Sequence, residues 1–144
     1  MGVRHQPGRD AWRYMHELLW SGASHDRVHD ACDAIGVTPP QMKALLSLEP
    51  GDARPMRTLA AEWRCDASWV TGLVDGLEDR GYVERKVHPG DRRVKTVVLT
   101  DLGAKAKDQL LERLHEPPPA MSVLTAAEQR TLRDLLRRIA EANA

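Results

Sequence analysis

Cysteine is scarce. Only Cys32 and Cys65 occur in 144 residues, far apart and outside any CxxC, which argues against a disulfide framework or a cysteine-rich zinc site and leaves two buried, inert thiols as the expectation. Long apolar runs are missing as well: no stretch approaches the roughly 20 residues that a membrane helix needs. The opening segment, MGVRHQPGRDAW, has no apolar signal-peptide core, and Gln6 stands where N-myristoylation of Gly2 favours Ser or Thr. A cytoplasmic protein with no membrane partner is expected. Net charge is also absent, since 21 basic residues balance 21 acidic ones, whereas proteins that wrap nucleic acid usually have a domain pI above about 9. No Ser/His/Asp set, Gly-rich phosphate loop or pair of carboxylates in an apolar setting is found. An enzyme is therefore not expected, and no cofactor is implied.

What is present is ordinary in bulk and uneven in detail. With 42% hydrophobic and 29% charged residues, the chain can build one compact subunit with a real core. Its charge collects locally: between Tyr82 and Lys95, the basic residues Arg85, Lys86, Arg92, Arg93 and Lys95 outnumber Glu84 and Asp91 by three. The tip of this segment, HPGDRRVK, lies between two β-like runs, YVERKV and VKTVVLT, and reads as a hairpin.

Helical signals surround the hairpin. A long helix is expected over 10–35, with Trp12, Met15, Leu19, Val28, Cys32 and Ile35 near helical spacing and SGAS weakening its middle. Thr38 as N-cap, Pro39 at the first helical position and Gln41 three residues after the cap start the next helix, whose buried face is Met42, Leu45 and Leu46. EPGDARP reads as a loop. Met56, Leu59, Ala60 and Trp63 follow an i, i+3, i+4, i+7 pattern, repeated after RCD by Val70, Leu73, Val74 and Leu77. Two short amphipathic helices joined by a tight turn form a helix-turn-helix, with Gly81 closing the second. Thr100 then caps a helix burying Leu102, Ala106, Leu110 and Leu114. After HEPPPAM, Thr125 and Glu128 form a second capping box for a helix burying Leu132, Leu135, Leu136 and Ile139.

A helix-turn-helix followed at once by a hairpin with a basic tip is a winged helix. The fold class expected is therefore mainly α with a small β-hairpin wing, and double-stranded DNA is the expected partner. On the second helix, Ser68, Gly72, Asp75 and Asp79 point away from the core, flanked by Trp69 and Thr71. The hydroxyls of Ser68 and Thr71 can bond base edges or phosphates in a major groove. Trp69 either packs beside the groove or completes the subunit core, and core-edge packing is favoured because tryptophan is mostly buried. Arg92 and Arg93 at the hairpin tip suit a minor groove, with Asp91 bracing an arginine through a bidentate pair.

From GVTPPQMKALLSL through MRTLAAEWRCDASWVTGLVDGLEDRGYVERKVHPGDRRVKTVVLTDLGAKA, the chain resembles the MarR family of transcriptional regulators. The most specific segments are LVDGLEDRGYVER, DRR and LTDLG. The resemblance implies a homodimer held by a helical region formed from 1–36 and 101–144, with a winged DNA-binding lobe over 37–100. It further implies a repressor on a near-palindromic operator, Asp91 and Arg93 as the wing motif with Arg93 in the minor groove, and a small-molecule effector between the first, second and fifth helices and the DNA lobe. Gly72 and Gly76 depart from the basic residues common on the family's recognition helix, while Arg57 replaces a frequent Ser or Thr cap and can reach a phosphate. The candidate DNA-binding set is thus Arg57, Ser68, Trp69, Thr71, Gly72, Asp91, Arg92 and Arg93.

Other features have plainer readings. His25 and His29 share a helical face with Cys32 and Asp33, yet the pair lacks a defined third ligand, so a solvated face and no metal are expected. Cys32 and Cys65 do not sit where the family's oxidant-sensing thiols lie. Trp12, Tyr14 and Trp20 suit a dimer-interface core better than an aromatic ligand pocket. Two rivals stand beside the regulator: a winged-helix protein-interaction module with little DNA affinity, and a regulator that senses thiol oxidation or a metal.

Overall fold

The computed structural model describes residues 6–144; Gly2 and the rest of the first five residues, placed above at the head of the dimerisation region, lie outside the described residues. The chain divides into two compact units, Met1–Leu114 and His115–Ala144.

In the first unit the expected long helix is two helices, α1 (Pro7–Leu19) and α2 (Gly22–Ile35). The reason lies in SGAS: the Ser21 side chain accepts the Ser24 amide proton at 3.2 Å and so caps a new helix. This local bond competes with continuing the first one. α3 (Pro39–Ser47) starts with the anticipated box, in which Thr38 accepts from the Gln41 amide and the Gln41 side chain accepts from the Thr38 amide at 2.9 Å. The EPGDARP segment is not all loop. Its last two residues form β1 (Arg54–Pro55), which pairs antiparallel with Val97 and Thr96 of the hairpin.

α4 (Met56–Trp63) and α5 (Ala67–Asp79) are the helix-turn-helix. Arg64 takes the left-handed conformation at the end of α4, and Asp66 caps α5 by accepting from the Trp69 amide at 2.8 Å. Gly81, at φ +76°, ends α5: its amide bonds the Glu78 carbonyl, and the Tyr82 amide bonds that of Leu77. The wing follows as β2 (Val83–His88) and β3 (Asp91–Leu99), giving a three-stranded antiparallel sheet in the order β1-β3-β2.

α6 (Asp101–His115) is capped by Thr100, whose hydroxyl accepts from the Gly103 amide at 3.0 Å. Its buried row is Gly103, Ala106, Lys107 and Leu110, so Leu102, expected inside, is 54% exposed. Gly103 sets this register: a methyl there would collide with the Tyr82 carbonyl, so the helix backbone itself rests on the wing root. Lys107 is buried but satisfied, donating to the Leu48 carbonyl at 2.6 Å and to Glu49 at 2.9 Å.

The core of this unit gathers Cys32 and Ile35 from α2, Met42 and Leu45 from α3, Leu59, Val70, Val74 and Leu77 from the helix-turn-helix, Val83 and Val97 from the wing, and Leu110 from α6. Each such side chain contributes on the order of 1.5–3 kcal/mol on burial. Leu46 and Leu73, expected in the core, pack against its edge. Burial pushes the Cys32 thiol up, with Asp33 adding to the effect. Cys65 is only partly buried.

The second unit holds a 3-10 turn (Pro119–Val123) and α7 (Ala126–Ala142), whose Thr125–Glu128 capping box forms as expected. The expected burial along α7 does not occur in the single chain. Leu135, Leu136 and Ile139 are exposed and no residue of the helix is buried. α1 behaves likewise: it has no buried residue, and Trp12, Tyr14 and Trp20 are all more than half exposed. Among the described residues, no helix is long and apolar enough to cross a membrane.

Candidate nucleic-acid interface

α5 presents its polar side because its apolar side is fully used. Val70, Val74 and Leu77 are buried, which leaves Ser68, Thr71, Gly72 and Asp75 exposed along the other face. In this chain both hydroxyl protons are engaged locally: Ser68 donates to Asp66 at 2.8 Å, and Thr71 donates to the Ala67 carbonyl at 2.9 Å. Their oxygen lone pairs and the Thr71 methyl remain available without rotation. The bond from the Trp69 amide, then that from Ser68, holds the Asp66 carboxyl below its usual range.

Asp75 and Glu78 would make this face repel a phosphate, and Arg85 from β2 offsets half of their charge. Its guanidinium pairs with Glu78 at 2.7 Å and with Asp75, and its backbone amide donates to Glu78 at 2.9 Å. Burial alone would lower the Arg85 pKa; the bonds to Asp75 and Glu78 outweigh it and raise it. Arg85 was counted above with the basic tip, but it serves the recognition helix. Lys86 is likewise paired with Glu84.

The wing directs its remaining charge by strand alternation. Residues two apart share a face; Asp91, Arg93 and Lys95 border one groove, joined there by Val94, while Arg92, also exposed, does not. The groove, of about 650 Å³, runs between the start of α4, α5 and the wing, and Arg57, Thr58, Thr71 and His88 are among its other lining residues. Four of the eight sequence-derived candidates, Arg57, Thr71, Asp91 and Arg93, therefore meet at one place. Asp91 braces Arg93 differently from expectation: its carboxylate accepts the Arg93 backbone amide at 2.9 Å. Among the described residues, Asp91 makes no ion pair with an arginine. An Asx-type turn two residues long costs less side-chain entropy than pairing two exposed side chains.

Trp69 goes elsewhere. It is 55% exposed, more open than the core-edge packing favoured above, and lines a separate groove of about 510 Å³ with Pro39, Pro40, Lys43 and Trp63. The two glycines also separate. A side chain at Gly72 would meet nothing within 4 Å, whereas one at Gly76 would run into the Gln41 amide of α3. Of the two, Gly72 alone has open space for a longer side chain. Helical spacing alone could not separate them, because the difference depends on where α3 crosses α5.

Sequence reasoning passed over His88, Thr58 and the charge-offsetting role of Arg85. His88 had a signal, since it starts the HPGD turn and pairs in register with Asp91. A further cavity of about 700 Å³ lies where α1 gives way to α2, lined by Trp20, His25, Val28, Met42, Lys43 and Leu114 among others. The His25 and His29 rings stand 4.4 Å apart.

Comparison with known proteins gives a consistent picture. The model of the MarR family matches residues 37–95. The HTH-type transcriptional repressor MdtR of Bacillus subtilis (strain 168) is 31% identical over 114 residues, covering 78% of this chain and 74% of that protein. The chain matches 51% and 58% of the lengths of two other curated relatives, about half of each. Among solved structures, YusO of Bacillus subtilis superposes with a TM-score of 0.76 at 24% identity over 98% of this chain and 99% of that one, a likeness of fold. Wild-type MarR of E. coli in its apo form gives 0.67 at 26% identity over 88% of this chain and 94% of that one.

Proposed function

The chain belongs to the MarR family of transcriptional regulators, and from that premise we propose that it is a homodimeric repressor binding a near-palindromic operator through the α5 face and the wing. The observation that carries the reading is the convergence of Arg57, Thr71, Asp91 and Arg93 on one groove beside a helix face whose Asp75 and Glu78 are both paired with Arg85. Ser68, Trp69 and Gly72 flank that face, and Arg92 stands beside it on the wing. Zero net charge is compatible with this role because the positive groups are concentrated: Arg57, Arg92, Arg93 and Lys95 make no ion pair among the described residues. An inserted arginine suits the negative potential of a minor groove.

The dimer is supported by the exposed apolar faces of α1 and α7, which single-chain folding leaves unburied. We assign dimerisation to 1–36 and 101–144, DNA binding to 37–100, and a small apolar effector carrying a polar group to the cavity beside Trp20 and Lys43.

The test is fluorescence anisotropy of the purified protein with labelled duplex from the intergenic region beside its own gene, against a scrambled duplex, at two salt concentrations. Tight binding that prefers the native duplex and weakens steeply with salt is expected, because each neutralised phosphate releases counterions. Equal, weak binding to both duplexes would favour a winged-helix protein-interaction module.

A further inference from the structure

We infer that His88 is a second DNA-reading side chain of the wing, one that donates a hydrogen bond from Nε2 to an acceptor at the minor-groove edge beside Arg93. This rests on the DNA-binding reading above. The imidazole begins the wing turn, pairs in register with Asp91 and borders the same groove as Arg57, Thr71, Asp91 and Arg93. Its orientation is set from within the turn: the Gly90 amide donates to Nδ1 at 3.0 Å. The ring lies against Gly90, where a methyl would stand 3.3 Å from Cε1.

The bond from Gly90 decides the tautomer. A nitrogen that accepts a hydrogen bond carries no proton, so the neutral ring must hold its proton on Nε2. Nε2 is the ring nitrogen that the turn does not use. The wing therefore offers a directional N–H donor next to the Arg93 cation. The minor groove presents acceptors, adenine N3 and thymine O2, and a guanine amino group places a donor among them. A fixed N–H donor favours A·T pairs and meets a like group at G·C. Arg93 alone, as a mobile cation, responds mainly to potential. His88 would thus add sequence preference where Arg93 adds affinity.

Two substitutions separate the functions of the two ring nitrogens. In His88→Asn the amide oxygen can take the place of Nδ1 and keep the Gly90 bond, while the outer donor is lost. In His88→Gln the amide nitrogen can reach the place of Nε2, while the turn bond is lost. We expect His88→Asn to keep the thermal midpoint and to lose operator affinity by about three- to tenfold, the usual worth of one neutral hydrogen bond. His88→Gln should retain more affinity than His88→Asn. Replacing the A·T pairs under the wing by G·C should weaken wild type and leave His88→Asn nearly indifferent.

Wild-type affinity and wild-type base preference in His88→Asn, with Arg93→Ala weak in the same assay, would overturn the role of His88 alone. Affinity loss in His88→Asn without any change of base preference would move its contact to a phosphate and overturn the minor-groove assignment. If wild type shows no salt-sensitive binding to the native duplex, the DNA-binding reading fails, and this inference fails with it.

Discussion

Arg85 and Glu78 meet twice, guanidinium to carboxylate at 2.7 Å and backbone amide to carboxylate at 2.9 Å, so the first strand of the wing is fastened to the last turn of the recognition helix. The same guanidinium reaches Asp75 and, at 3.4 Å, the Thr71 carbonyl. One side chain thereby ties together the two elements that the proposed function would place in adjacent grooves, and offsets half of the acidic charge between them. Arg85→Ala should lower operator affinity at least fivefold and stability by about 1 kcal/mol, a modest figure because the pair is partly solvated. Adding Asp75→Asn to Arg85→Ala should recover part of the affinity. An anisotropy titration in which Asp75→Asn recovers nothing would mean that Arg85 acts by geometry alone.

Arg93→Ala should weaken operator binding at least tenfold and reduce the salt slope by about one, since one phosphate-neutralising cation is removed. Arg92, on the opposite face of β3, should matter less. Titrations of the two alanine variants at several salt concentrations check both statements, and a larger effect at Arg92 would reverse the strand-face assignment.

Gly72 and Gly76 should respond oppositely to the same change. Gly72→Ala gains helix propensity in open space and should stabilise by about 0.5–1 kcal/mol. Gly76→Ala presses on Gln41, which must then leave the Thr38 amide and weaken the start of α3, so no gain is expected. Gly72→Lys should raise DNA affinity and steepen the salt slope by about one. Thermal melts and salt-dependent titrations of the three variants suffice, and equal melting shifts at the two glycines would contradict the packing of α3 on α5.

The exposed row of α7 should be an association surface. Ile139→Asp, which puts a charge at a site 53% exposed in the single chain, should do little to a folded subunit but abolish the dimer. Light scattering should then give about 16 kDa, half the mass expected of the wild-type pair. An unchanged dimer would remove α7 from the interface.

Asp66 gives the recognition helix a pH dependence on the acid side. Its folded pKa is depressed, chiefly by the Trp69 amide and then by Ser68, so its contribution is complete above the ordinary carboxylate range and fades as pH falls through the depressed value. Asp66→Asn keeps a capping acceptor but cannot titrate. Wild type should melt above Asp66→Asn at about pH 7, and the gap should close as pH falls below about 4. A gap independent of pH would show that charge at this cap is immaterial.

Much of the architecture was legible because it is written in short-range chemistry. The two capping boxes, the paired i, i+3, i+4, i+7 patterns of α4 and α5, the left-handed Gly81 and the basic hairpin depend on residues within one or two turns of each other. The resemblance carried by LVDGLEDRGYVER has a physical basis in the same terms. Glu78 and Arg85 join helix to wing, a methyl at Gly36 would meet the Arg80 guanidinium, and Tyr82 donates to the Ile35 carbonyl at 2.6 Å.

What the sequence determined by itself was the order of elements, their caps and the concentration of positive charge on the wing. Contact between distant segments decided the rest. Gly103 against Tyr82 rotated α6 and put Leu102 outside, and α3 distinguished Gly76 from Gly72, whereas the Ser21 cap that divides one expected helix into two is short-range chemistry written in SGAS. Periodicity says which face of a helix is apolar, but only tertiary structure says what covers it. For Val70 and Leu77 the cover is the same subunit, and for Ile139 a single subunit supplies none.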